Sequence, residues 1–219
     1  AANAAGNAVA AQGVNVLSFS NNPNIAGGNV FALGQSFGDT ANRLVRYAKS
    51  TGKDKILILH GQDLAGQVGR DAIKRAIAEN GATSAGTIDY ALSQESVIAA
   101  VPRAKAAYDA NGANAIVATT QYIGLTRWDI PAQTLSLPGV QGGWFALPDP
   151  NASASFSQRY SATYGTTPNP IAGLAFDGIA AVGALVKSGR PDALSAGRLT
   201  QGAGFRGASG VFRLKKDGT

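Results

Sequence analysis

Residues 55–63 read Lys-Ile-Leu-Ile-Leu-His-Gly-Gln-Asp. Four consecutive aliphatic residues, Ile56 to Leu59, give a strand apolar on both faces, which belongs in the middle of a parallel sheet covered by helices on each side. A short polar turn follows. From Gly66 to Asn80 the pattern changes to helical spacing with Ile73, Ala76 and Ile77 on one side, and Asn80-Gly81 supplies a left-handed stop. Strand, polar turn and helix together form one βα unit.

The same alternation extends in both directions. Upstream, Ser36-Phe-Gly-Asp39 reads as a capping box for a helix whose Ala41, Leu44, Val45 and Ala48 share a face, stopping at Gly52. Downstream, a helix following Ser93 places Val97, Val101, Ala104 and Tyr108 inward and ends at Asn111-Gly112. The other predicted strands are Val14–Phe19, Thr87–Ala91, Ala115–Thr119, Gly143–Leu147 and Val211–Leu214. Strands alternating with helices of this length specify an α/β fold with parallel sheets. Further on, Phe156, Tyr160 and Tyr164 recur every four residues, the spacing of a core-facing helix. Ile171, Leu174, Val182, Leu185 and Val186 mark a long apolar helix after Pro168 and Pro170.

Composition narrows the function. With 45% hydrophobic and 15% charged residues over 219 positions, the chain can bury a large core. Absence of cysteine excludes thiol catalysis, thiolate metal sites and disulfides. The net charge of +6 is spread from Arg43 to Lys216 without an aromatic stacking platform, which argues against nucleic acid as a partner. The nearest cluster, Arg206, Arg213, Lys215 and Lys216, reads as a solvated face.

Signatures of catalysis are equally sparse. Gly202-Ala-Gly-Phe-Arg-Gly207 has the letters of a dinucleotide loop, but that chemistry needs a strand before the glycines and a helix after them. Here the order is reversed. His60 ends the strand Ile56–His60, where parallel sheets open into a ligand crevice, yet no nucleophile elbow accompanies it. A hydrogen-bonded structural histidine is therefore favoured. Asn151-Ala-Ser153 matches a glycosylation sequon, and Ser153 reads better as a helix cap. No cofactor and no metal is expected. The chain starts on an Ala-rich stretch and stops on the turn signal Lys216-Asp217-Gly218, from which a domain-sized stretch is expected to precede Ala1.

Several segments, in a fixed order, resemble the branched-chain amino-acid-binding branch of the type I periplasmic binding proteins. Gly13-Val-Asn-Val-Leu-Ser-Phe-Ser-Asn-Asn-Pro23 is similar to a strand ending in a ligand-facing turn, and Val30-Phe-Ala-Leu33 to the crossover between lobes. Phe156-Ser-Gln-Arg-Tyr-Ser-Ala-Thr-Tyr-Gly165 with Pro168, then Ala175-Phe-Asp-Gly178, resembles the family's F..Y...YG..P and YDA positions. The stretch from Phe205 to Gly218 resembles its closing motif, and looks closest to the lipoprotein branch of penicillin-binding-protein activators.

The resemblance implies two Rossmann-like lobes, here incomplete, with residues 1–33 ending the first lobe, 34–147 forming the second and 148–219 returning between them. It implies a non-catalytic periplasmic receptor that closes on a small polar ligand such as an amino acid or peptide and serves an ABC permease. The ligand contacts would be Ser18, Ser20 and Asn21 from the first lobe and Gln62, Asp63, Thr120, Gln121 and Tyr122 from the second. Two departures bear on the ligand. Ala65 stands where these receptors place a covering tyrosine, and the region from Leu135 to Gly139 lacks the acidic residue that would pair with an ammonium group. The alternative is a lipid-anchored activator of a peptidoglycan synthase, with a murein fragment or the synthase itself, a penicillin-binding protein, as partner.

Overall fold

The computed structural model describes residues 1–20, 22–119, 136, 138, 141–169 and 172–219. The chain divides into two units: residues 37–147, and residues 1–36 together with 148–219.

The first of these is built around the stretch from Lys55 to Asp63. Strand β3 (Lys55–Gly61) lies between β4 (Thr83–Tyr90) and β5 (Ala115–Ala118), all parallel. Ile56, Leu57 and Ile58 are each fully buried, which is worth about 1.5–3 kcal/mol per side chain. Helices α2 (Phe37–Ser50) and α3 (Leu64–Glu79) pack together: Ala41 and Val45 of one meet Ala72, Ile73, Ala76 and Ile77 of the other over Ile56 and Ile58. Helix α4 (Gln94–Ala110) packs with Leu57 through Ala104, in a second cluster with Ala85 and Ala113.

The other unit holds two small sheets. Strand β1 (Val16–Ser18) pairs in parallel with β2 (Val30–Ala32), and the Ala32 amide continues the ladder by donating to Gly218 O at 2.7 Å. The short α1 (Ala2–Val9) precedes them. Helices α5 (Pro150–Tyr164), α6 (Ala172–Val186) and α7 (Ala196–Leu199) lead to an antiparallel hairpin of β6 (Phe205–Gly207) and β7 (Gly210–Phe212). Phe31, Ala181, Leu185, Leu199, Phe205 and Leu214 form the core. One buried carboxylate ties helix to hairpin: Asp177 of α6 accepts the amides of Ala208 and Ser209. Room for it depends on Gly207, where a Cβ would lie 2.0 Å from Asp177 Oδ1.

Four expectations are corrected. Gly143–Leu147 forms no strand; Trp144 instead meets Tyr47 edge to face, ring centroids 4.8 Å apart. Ser153 does not cap α5. Asp149 does, accepting from Asn151 and Ala152, while Ser153 sits inside the helix and donates to Ala208 O. The Phe156, Tyr160 and Tyr164 stripe is not a core face: Phe156 and Tyr160 are half-buried, Tyr164 is 65% exposed, and with Phe176 the rings form a tilted ladder lining a groove of about 900 Å³. Val97 and Val101 are exposed, because the buried face of α4 runs through Ala100 and Ala104, four residues apart, the second of them packed in the cluster with Leu57.

Replacing Asp177 by Ala leaves two amides without their acceptor, so the unfolding free energy in urea is expected to fall by about 2–4 kcal/mol. Asp177→Asn should fall less, because its carboxamide still offers one acceptor.

Candidate functional site

In an open α/β sheet the ligand-facing edge is at the carboxyl ends of the strands, where side chains leave the ladder and helices begin. In the unit of residues 37–147, that edge carries Gly61 at the end of β3 with Gln62 and Asp63 after it, Asp89 and Tyr90 at the end of β4, and Thr119 after β5.

Close packing fixes the turn. The Asp63 side chain caps α3 by accepting the Gly66 amide at 3.2 Å. A methyl on Gly66 would lie 2.2 Å from Gly61 O, so only glycine lets the first turn of α3 sit against the strand it follows. Gln62 donates its backbone N–H to Tyr90 O at 2.9 Å and its side-chain amide to Asp89 Oδ2 at 2.8 Å. Gln67 returns a side-chain amide to Gln62 O at 2.8 Å.

Asp89 is held below the usual carboxylate range, first by the Gln62 amide, then by its own backbone amide and by the charge of Arg103, whose Nη1 stands 3.7 Å from Asp89 Oδ1. Burial pushes the Tyr90 phenol up, with the charge of Asp63 adding to the effect. His60 is buried, and its Nδ1 lies 2.7 Å from Gly61 O, consistent with the structural reading of the sequence. Leu64 and Leu92 give the edge exposed apolar surface, 78% and 43% accessible.

The other unit presents a shorter polar edge. Ser18 ends β1, and its carbonyl accepts from Leu33 at 2.9 Å. The Ser20 hydroxyl accepts from the Asn22 amide at 3.1 Å, and Asn22 caps the turn Pro23–Ile25. The Ser18 hydroxyl has no hydrogen-bond partner among the described residues.

Of the residues expected from sequence, Ser18 and Ser20 share one edge, and Gln62 and Asp63 share the other. Asn21, Thr120, Gln121 and Tyr122 lie outside the described residues. Sequence reasoning missed Asp89, Tyr90 and Thr119. The signal was present, since Asp89 and Tyr90 fall within the predicted strand Thr87–Ala91, but only pairing of that strand with β3 shows that they reach the same edge.

The sequence matches the family model for periplasmic binding proteins over residues 1–122. The chain belongs to that family. Members are solute-binding proteins, in general without catalytic activity, and the family implies a periplasmic location. Solved structures share the type I periplasmic-binding-protein fold at low identity. A branched-chain amino acid ABC transporter periplasmic ligand-binding protein from Burkholderia xenovorans is 16% identical, with a TM-score of 0.61 over 88% of this chain. An ABC transporter substrate-binding protein from Desulfitobacterium hafniense, in complex with Leu, is 17% identical, with a TM-score of 0.65 over 99% of this chain. A solute-binding protein of an ABC transporter from Rhodopseudomonas palustris, in complex with 3,4-dihydroxybenzoic acid, is 14% identical, with a TM-score of 0.58 over 98% of this chain. The chain spans 59%, 71% and 67% of these three proteins, respectively. No curated protein sequence matches it. The alternative of a lipoprotein that activates a peptidoglycan synthase is not favoured by these relatives, and none of them bears on lipid anchoring.

Substituting Gln62 by Leu removes the hydrogen bond that most lowers the Asp89 pKa, so an NMR titration should show the pKa rising toward the ordinary carboxylate value. A depressed folded-state pKa contributes stability above the unfolded-state value, and that contribution is lost as pH falls through the folded-state value. The variant should therefore be less stable than the parent near neutral pH, and the two should converge in acid.

Proposed function

We propose that this chain is a non-catalytic ligand-binding region of a periplasmic solute receptor serving an ABC permease, and that its ligand is a small polar solute carrying a carboxylate. Membership of the periplasmic-binding-protein family is the observation that carries this reading. The relatives solved with Leu and with 3,4-dihydroxybenzoic acid support the ligand class, since both molecules pair a carboxyl group with an apolar body.

The strand-end residues suit such a solute. Hydroxyl and amide groups are offered by Ser18, Ser20 and Asn21 in one unit and by Gln62, Thr120, Gln121 and Tyr122 in the other, the kinds of orienting polar group that small-molecule sites use. The apolar surface of Leu64 and Leu92 suits the rest of the solute. Asp63 and Asp89 bring negative charge to the edge that holds Gln62. That charge favours a ligand with an ammonium group, and it answers the missing acidic residue between Leu135 and Gly139. Amino acids are accordingly the first class to test, short peptides the next.

A thermal-shift screen against the standard amino acids, short peptides, 3,4-dihydroxybenzoate and murein fragments tests this, because a ligand bound only by the folded state raises the midpoint with concentration. The expected result is a saturable rise with one or more amino acids or with the benzoate. No rise with any carboxylate-bearing compound, or a rise with murein fragments alone, would overturn the reading.

A further inference from the structure

Strands β4 and β5 each pair with β3 and not with one another. A bond between the ends of β4 and β5 must therefore cross the central strand. Tyr90 makes such a bond: its hydroxyl donates to the backbone carbonyl of Thr119, and the two residues are 7% and 5% exposed.

Thr119 extends the tie to β3 and α3. Its amide donates to Leu59 O at 2.8 Å, and its hydroxyl accepts the Gly61 amide at 3.4 Å. Its methyl group faces α3 so closely that a Cβ on Gly69 would lie 2.5 Å from Thr119 Cγ2. The Tyr90 carbonyl in turn receives the Gln62 amide. The ends of three strands and the first turns of α3 thus meet at two residues, one of which, Tyr90, bonds directly to Gln62.

We propose that Tyr90 and Thr119 are positioning residues for the solute-contacting edge: their buried tie fixes the end of β3, and with it the Gln62–Asp63 turn, in the geometry that meets ligand. The inference rests on the solute-receptor reading above. The ring of Tyr90 accounts for core packing, and a phenylalanine would fill the same space. The hydroxyl adds a directional bond to one carbonyl, and burial keeps that phenol a donor through the physiological pH range. A turn held in one conformation before binding loses less conformational freedom on meeting its ligand, so part of the affinity resides in the tie.

The test uses the whole chain and three substitutions. Tyr90→Phe deletes the donor and keeps the ring; Thr119→Val deletes the hydroxyl and keeps the shape; Thr119→Ser restores the hydroxyl. Without ligand, amide hydrogen exchange at Gly61 and Gln62 should accelerate at least tenfold in the first two variants, stay within about twofold of the parent in Thr119→Ser, and remain unchanged at Ile56 and Ile73. Affinity for L-leucine or 3,4-dihydroxybenzoate, whichever the parent binds, should fall at least fivefold in the first two variants only. Unchanged exchange at Gly61 and Gln62, a uniform rise across the sheet, or faster exchange with undiminished affinity would each overturn the proposal. A parent that binds neither probe and no other amino acid or short peptide would sink the solute reading and with it the claim about ligand, while the exchange rates still decide whether the tie fixes the turn.

Discussion

The constraint on which the rest of this structure depends is the contact of a helix with the end of the strand it follows. Gly66 sits so close to the Gly61 carbonyl that no side chain fits between them, and Gly69 repeats the approach one turn later against Thr119. Because α3 cannot be displaced from this position without opening a gap over β3, the turn from Gly61 to Asp63 is drawn tight. Its donors and acceptors then project from the edge of the sheet. The aliphatic run in β3 drives burial without specifying where the polar groups go; the glycines specify that.

Polar groups at this edge serve two purposes. Some capacity is consumed internally: one Asp63 oxygen caps α3, one hydrogen of the Gln62 side-chain amide goes to Asp89, and the Tyr90 hydroxyl is bound to Thr119. The rest is left for solute, such as the second Asp63 oxygen, which can accept while the first holds the helix. An edge organised in this way is stiff, and stiffness is what allows a few hydrogen bonds to discriminate between small solutes. The charge held on Asp89 by a neutral amide adds an electrostatic preference at little cost in conformational freedom.

Much of the fold was legible in the sequence for one reason: burial on both faces leaves an unmistakable aliphatic run, and β3, β4 and β5 appear where the sequence places strands. Helix boundaries followed from Ser93 and the glycines at 52, 81 and 112, whereas α3 starts at Leu64, ahead of the expected Gly66, because Asp63 caps it. The failures share a cause as well. Periodicity states that residues share a face and not that the face is covered, so the Phe156, Tyr160 and Tyr164 stripe and the Val97 and Val101 pair read as core although the first is only half-covered and the second is exposed. A β-rich composition at Gly143–Leu147 forms a strand only where a ladder partner exists. At the candidate site, Gln62 and Asp63 were legible because they follow a strand directly. Asp89 and Thr119 were not, because their place at the same edge depends on the order β4-β3-β5, which no local pattern encodes.

The central claim is that solute is met at the polar strand ends. Its most direct test is an NMR titration of the chain with L-leucine and with 3,4-dihydroxybenzoate, following every backbone amide. The account predicts saturable shifts concentrated at Ser18, Ser20 and Gly61 to Leu64, with the groove of Phe156 and Tyr160 unaffected. Shifts confined to that groove, or none at either set of strand ends, would contradict it.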